Sequence, residues 1–356
     1  MSKLRNNYIL AFLTSYLIAT VNSAAFVKKG PKEMLVGLQG LPFGRGNPRP
    51  GTETGPMYLR NGGIIEYLKD EAGVDVKDYG DMIFDVGPRV RTPVGNETKE
   101  MAEGVWNIVD VAKAAKKISD QTEAIAKDGR IVLSVGGDHS ITIGTINGIS
   151  NVHPNVAILY LDAHADINTV KTSPSGNLHG MTIPFAVKEL SPDMKTPEMK
   201  DFDFIQPRVA AENVAHIGLR SVDPGETEII TKFKTNSFGV RDIDRLGIME
   251  VTKRALAKIS PNGERPVHLS FDVDVLDDLE IGGQTGTPEP GGLTLREAMT
   301  FFEVVQETVN IVSMEFIEVN TALGTSSNPK RMATLVKYMM GCAFGYCRGG
   351  LARAQS

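Results

Sequence analysis

The stretch Asp162-Ala163-His164-Ala165-Asp166 places two carboxylates and an imidazole within five residues. In extended backbone, alternation sends Asp162, His164 and Asp166 to one side and the two alanines to the other. The pentapeptide follows Val156-Ala157-Ile158-Leu159-Tyr160-Leu161, an apolar, β-branched and aromatic run of strand length. Unpaired charges at the end of a buried strand are costly. A divalent cation removes that cost; a strand-end salt-bridge cluster is the competing explanation. His139, in Gly136-Gly137-Asp138-His139-Ser140, and Asp272 and Asp274, in Phe271-Asp272-Val273-Asp274, extend the set. Four carboxylates and two imidazoles exceed what one tetrahedral zinc site uses. They suit Mn²⁺ or a similar ion in near-octahedral geometry, best as a pair about 3.5–4 Å apart that shares carboxylates and a water. Water acidified in this way attacks an electrophilic carbon, so the chemistry implied is hydrolysis.

The elements that must position these residues alternate between strand and helix patterns. Strand-like runs cover 34–38, 82–86, 131–135, 156–161, 214–219, 267–271 and 311–317. A Gly/Pro-rich loop from Gly40 to Gly55 leads to a short helix through Leu59, Ile64 and Leu68. Residues 101–128 carry Val105, Ile108, Val109, Ala112, Ala115 and Ile118 at helical spacing, with Gly129 as the stop. Thr294 and Glu297 form a capping box for a helix burying Leu295, Ala298, Met299, Phe302, Val305 and Val309. Asn328 and Pro329 suit the start of a last helix burying Met332, Leu335, Val336 and Met339. Continuous apolar strands separated by helices predict a single α/β domain over residues 33–350, a three-layer αβα fold with a mainly parallel central sheet. The polar clusters all follow strand ends, where such sheets bind ligands.

Composition fits that class. The chain has 356 residues, 41% hydrophobic and 23% charged, and its net charge of −5 with no basic stripe argues against nucleic acid. Cys342 and Cys347 fall late in an apolar helical pattern and offer no disulfide framework. The N-terminus points elsewhere. Lys3 and Arg5 precede a mostly apolar run from Tyr8 to Val21, small residues follow, and no acid occurs before Glu33. Residues 1–25 therefore read as a targeting segment, a secretory signal or a mitochondrial presequence, too short for a stable membrane span.

Taken together, Gly-Gly-Asp138-His139-Ser, Asp162-Ala-His164-Ala-Asp166 and Phe271-Asp272-Val-Asp274 resemble the signature of the arginase/agmatinase ureohydrolases, over nearly all of the chain after the targeting segment. The resemblance implies two Mn²⁺ per subunit, bridged by Asp162 and Asp272. His139 and Asp166 would complete one ion, and His164 and Asp274 the other. It implies that L-arginine is hydrolysed to L-ornithine and urea by a metal-bridging hydroxide, and that the protein is a homotrimer. The segment from Asn168 through Ser173, Ser175 and Asn177 to His179 is similar to the arginase substrate loop, whose neutral donors would address an α-carboxylate. Asp223 and Glu226, in Asp-Pro-Gly-Glu, resemble the acids that address the α-ammonium. His179 corresponds to the proton shuttle, Asp166 to a proton carrier, Glu318 to the guanidinium-binding glutamate, and Thr287 to a threonine near the reacting centre. His153, His216 and His268 match no motif and read as structural.

Some residues depart from the pattern. Val275-Leu276-Asp277-Asp278 stands where Gly-Leu-Asp-Pro is usual, and the loop from Leu279 to Gln284 is one residue longer. The valine matters only where that backbone needs a positive φ. Ser173 stands where a threonine is commoner, which keeps the hydroxyl. An agmatinase or guanidinobutyrase would need only part of the Ser175–Asn177 and Asp223–Glu226 set. A non-catalytic binding protein would be free to lose a ligand, and none is lost.

Overall fold

The computed structural model describes residues 34–94, 104–324 and 330–346. The targeting segment, Cys347 and the Asn328-Pro329 pair lie outside the described residues. Eight strands form one sheet: β1 (Leu35–Leu41), β2 (Asp75–Asp81), β5 (Ile131–Gly136), β6 (Ala157–Leu161), β7 (Val214–Leu219), β8 (Asn236–Gly239), β9 (Pro266–Asp272) and β10 (Asn310–Ile317). A separate two-stranded ribbon pairs β3 (Arg91–Thr92) with β4 (Val105–Trp106). The sheet order is β2-β1-β5-β10-β9-β6-β7-β8, and every pairing in it is parallel. The chain first builds outward on both sides, and only then returns to insert β9 and β10 between β5 and β6. Its four central strands are therefore those that the site residues follow or end.

Strand alternation divides the core into two layers. Leu133, Val135, Leu159, Leu161, Leu269, Phe271, Met314 and Phe316 face one layer. There they meet α1 (Gly55–Asn61), α6 (Ile248–Ile259), α7 (Leu295–Thr308) and α8 (Arg331–Ala343). Val132, Ile158, Tyr160, Val214 and Val312 face the other, against α2 (Ile108–Lys127), α3 (Thr142–Val152) and α4 (Pro224–Phe233). One further helix, α5 (Val240–Leu246), runs between β8 and α6. Among the described residues, no helix is long and apolar enough to cross a membrane.

The expected core strands, the Thr294–Glu297 capping box and the buried face of α8 are all present. Three expectations need correction. The second strand is Asp75–Asp81, not 82–86, because an edge strand paired only with β1 has little need of apolar residues and buries Val76 alone. Ile83 is 82% exposed, while Phe84 packs edge-on against Phe43. The long helix starts at Ile108: Asn107 adopts a left-handed φ of 54°, its Oδ1 accepts from Val90 N and its Nδ2 donates to Arg45 O. Val105 belongs to β4 and Val109 is 49% exposed. The helix through Leu59 and Leu68 breaks at Gly62-Gly63, where Gly63 has φ 79°.

An aromatic cluster anchors the central strands close to the site. Phe271 and Phe316, on β9 and β10, lie 5.4 and 5.5 Å from Phe302 of α7, centroid to centroid, and 5.3 Å from each other. All three are fully buried. Phe302→Ala should cost about 3–5 kcal/mol, read from urea unfolding. A loss below about 1 kcal/mol, the level of an ordinary surface change, would show that this cluster does not anchor the strands.

Candidate metal centre

His139, Asp162, His164, Asp166, Asp272 and Asp274 come together at the carboxyl ends of β5, β6 and β9. His139 Nδ1 lies 2.8 Å from Asp166 Oδ2, and 3.2 Å from both Asp162 Oδ2 and Asp272 Oδ2. His164 Nδ1 lies 3.1 Å from Asp274 Oδ2 and 3.5 Å from Asp162 Oδ1. Two sets of ligand atoms close enough to hold an ion follow, His139–Asp162–Asp166 and Asp162–His164–Asp274, with Asp162 in both. All six are buried except His164, whose side chain is 24% exposed and opens the site to solvent.

Electrostatics tests whether the residues fit cations. Burial raises the pKa of Asp272 and Asp274; repulsion within the group adds to it, and His164 opposes it at Asp274. Burial and Asp162 raise Asp166 likewise, although His139 opposes them. Burial acts on Asp162 in the same way, but the adjacent His139 and His164 outweigh it and hold Asp162 low. For both imidazoles burial disfavours charge, yet the surrounding groups drive their pKa values well up. Imidazolium protons thus balance the carboxylates, and Asp162 Oδ2 has no hydrogen-bond donor. A donor set of carboxylate oxygens and imidazole nitrogens fits divalent cations that take over this balancing role.

Local backbone aims these groups. Asp166, five residues past the end of β6, and Glu318, directly beyond β10, both adopt left-handed φ, 48° and 60°. Non-glycine residues seldom do so, and the conformation is sustained where surrounding structure dictates it. At the end of β5 the approach is close enough that a Cβ on Gly137 would lie 1.7 Å from Phe43 O. Asp138 accepts from Gly46 N, Asn47 N and Ser140 N at 2.6, 2.9 and 2.9 Å, which draws the β1 loop over the site. Burial and the neighbouring Glu318 push Asp138 up to about 6. Asn47 Nδ2 in turn donates to Glu318 Oε2 at 3.0 Å, and His139 N donates to Glu318 Oε1 at 2.9 Å. His179 Nδ1 stands 3.5 Å from the same Oε1. Burial alone would raise Glu318, but bonds from His179, His139 N and Asn47 outweigh it and hold the carboxylate below its usual range.

Comparison with known proteins decides the family. The family model described as Arginase family matches residues 35–343. The hepatic arginase of Aquarana catesbeiana is 39% identical over 317 residues, 88% of this chain and 94% of that protein. Human Arginase-1 is 39% identical over 321 residues, 90% and 95% of the two chains. Among solved structures, the arginase of Bacillus caldovelox matches with a TM-score of 0.75 at 32% identity, covering 88% of this chain and 98% of that one. This chain belongs to the arginase family. It is a ureohydrolase-type hydrolase, with its His/Asp cluster at the strand ends of the arginase fold.

Around the cluster of this arginase-family protein lie the other residues singled out in the sequence. Asn168 Nδ2 donates to Asp223 Oδ2 at 2.8 Å. Glu226 is buried with both oxygens engaged, Oε1 by Ile167 N and Oε2 by Asp223 N, and burial pushes its pKa up to about 8. It clamps the Asp166–Asn168 turn to the start of α4. Ser173 Oγ accepts from Gly176 N, and Ser175 Oγ from Asn177 N. The side-chain Oδ1 of Asn177 is buried without a partner among the described residues. Thr287 Oγ1 donates to Asp274 Oδ2 at 2.7 Å, which places it on a candidate ligand. His216 and His268 are fully buried and hydrogen-bonded within the sheet, and His153 ends α3, as expected of structural histidines.

Arg220 was not foreseen. Its guanidinium donates to the carbonyls of Asp274, Leu276 and Glu289, at 2.6, 3.3 and 2.8 Å, and so ties β7 to the two loops beside the cluster. No residue pattern announces a cation that serves only carbonyl oxygens. In the altered loop Val275 is not among the residues with positive φ and is fully buried, the added length turns at Gly282 and Gly283 with φ 63° and 75°, and Asp277 accepts from Leu279 N, Gly291 N and Gly292 N.

Imidazoles with raised pKa hold protons at neutral pH that a cation must displace, so metal affinity should increase with pH across the neutral range. Titration with Mn²⁺ by calorimetry in buffers of different ionisation enthalpy should show proton release, and loading should raise the melting temperature. Uptake without proton release would contradict the balancing role given to His139 and His164.

Proposed function

We propose that the protein hydrolyses L-arginine to L-ornithine and urea at a pair of Mn²⁺ held by His139, Asp162, His164, Asp166, Asp272 and Asp274. The observation that carries this reading is the overlap of two ligand sets at Asp162, beside a Glu318 that stays ionised while buried. Carboxylate-rich sets with some imidazole favour Mn²⁺ over zinc. When bound, two such cations acidify a shared water and supply a nucleophile at neutral pH.

The chain's own residues do the rest. Glu318 pairs with the guanidinium through charge-assisted hydrogen bonds and so orients its carbon. A new C–O bond forms there while the bond to the side-chain nitrogen breaks, and the departing amine takes up a proton. Asp166, one of the ligand set and near enough to His179 to be influenced by its charge, carries that proton from the attacking water. The side chain of His179 is 17% exposed, and its pKa lies above the usual value: burial opposes the charge, but Glu318 and Asp166 outweigh it. It is therefore suited to exchange protons between site and solvent.

Recognition of the amino-acid end falls to Asn168, Ser173, Ser175, Asn177 and Asp223. The two serine oxygens already accept backbone N–H groups, which leaves their hydroxyl protons to donate to a carboxylate. Asp223 carries the charge for the α-ammonium, and Glu226 sets its position. Thr287 acts through Asp274. A homotrimer is proposed on family grounds.

Purified, Mn²⁺-loaded protein should release ornithine and urea from arginine much faster than it releases urea from agmatine. Failure to turn over arginine would overturn the proposal, and preference for agmatine would move it to the agmatinase reading. Asp223→Ala should raise KM for arginine far more than for 5-guanidinopentanoate, which is arginine without its α-amino group; equal effects on both would remove Asp223 from α-ammonium recognition. Replacing His179 with Asn should lower kcat by about 10²-fold, the usual scale for a general acid–base group, without changing Mn²⁺ content.

A further inference from the structure

Behind His139 lies a buried chain of hydrogen bonds that the reaction outlined above does not use. His139 directs Nδ1 at Asp162, Asp166 and Asp272, and its Nε2 lies 2.9 Å from Ser270 Oγ. Ser270 Oγ donates to Glu315 Oε1 at 2.7 Å. Glu315 is itself fully buried, and it also accepts from the hydroxyls of Thr142 and Thr145 at the start of α3. His268 Nε2 stands 3.4 Å from the same carboxylate. Burial would raise Glu315, but His268 first and then the hydroxyls of Thr142 and Thr145 outweigh it and bring its pKa down to about 2.

Direction is built into this chain. Ionised Glu315 can only accept, so the Ser270 proton must point at it. The Ser270 oxygen is then left as an acceptor, and His139 must carry its proton on Nε2. Once a cation displaces the proton that His139 shares with the carboxylates, Nδ1 is thereby left as the lone-pair nitrogen facing the ion. The ring plane is fixed as well, because Tyr160 stacks on it at 4.9 Å and 11°. The register of the sheet supplies the spacing: Ser270 and Glu315 are direct partners across β9 and β10.

We infer that Ser270 and Glu315 are positioning residues that hold His139 in the tautomer and orientation needed to ligate one of the two metal ions. This rests on the metal-dependent reading of the site and deepens it. Outer partners of ligating histidines are worth about 10–100-fold in metal affinity. The effect should fall on the ion that His139 serves and spare the one served by His164 and Asp274.

The test is Mn²⁺ binding to Ser270→Ala, followed by calorimetry and by the electron paramagnetic resonance of the spin-coupled pair, with the metal-free melting curve as a check on folding. Ser270→Ala removes one hydroxyl and no charge. It should weaken one of the two ions by about 10–100-fold and leave the other within about 3-fold, so that half-loaded protein accumulates. Glu315→Gln keeps an oxygen for Ser270 to donate to and should weaken the same ion by less. Two ions bound as in the unsubstituted protein would overturn the inference, and so would equal weakening of both, which marks a merely structural role. Failure of the metal reading looks different: the unsubstituted protein would itself take up no Mn²⁺, and the inference would fall with it.

Discussion

Four carboxylates within a few ångströms of one another, buried at one edge of a parallel sheet, are the constraint on which the rest of this molecule depends. They cannot all be ionised there without positive charge beside them. The strand order answers the geometric half of that problem. Because β9 and β10 are the last strands in the chain and the most central in the sheet, the acids of β9 lie beside those of β6, with His139 and Glu318 at the ends of β5 and β10. A sheet assembled simply in chain order would have scattered them. The electrostatic half falls to His139 and His164 in the metal-free protein, and to cations in the working one.

The backbone bears a cost for the same arrangement. Left-handed conformations at Asp166 and Glu318 carry about 1–3 kcal/mol each. Both follow strands whose side chains are fully buried, so the packing that fixes β6 and β10 can hold the turn beyond them. In each case the turn gives an acid a second task. Asp166 O accepts from Ile183 N, and Glu318 N donates to Gly137 O, so each functional side chain is tied through its own main chain to a neighbouring element.

Much of this was legible in the residues. The buried strands read correctly because both faces are covered, which makes them continuous apolar runs. The six candidate ligands were legible because carboxylates and imidazoles directly after such runs have few cheap explanations. Edge strands β2 and β8 were not, since one neighbour and a solvent-facing side leave no apolar signature. The start of α2 was misread because helical spacing continues through Val105, while Asn107, tied to Val90 and Arg45, ends the helix by tertiary hydrogen bonds. The supporting shell was the least legible part. Arg220, Ser270 and Glu315 owe their places to register and loop closure across 45 to 69 positions of sequence, and no local spacing encodes those.

Acids that look alike in the sequence can be sorted by who supplies their donors. Asp138, Glu226 and Glu315 have their oxygens taken by backbone amides or hydroxyls, and each joins two elements of the fold. They are struts, and their acceptor oxygens are spent within the protein. Asp162 differs: one oxygen accepts from His164 N, while the other has no donor and faces His139. Asp223 is intermediate, half-buried, with one oxygen receiving Asn168 Nδ2. A carboxylate in that position is fixed in direction and still has acceptor capacity for an ammonium group. The Ser173 and Ser175 hydroxyls show the complementary pattern, since their oxygens are taken and their protons are not. An arrangement that sets an acceptor-only acid on one side and donor-ready hydroxyls on the other matches a zwitterionic amino-acid end. Agmatine keeps the ammonium but lacks the carboxylate, so the serine hydroxyls have no such partner in it.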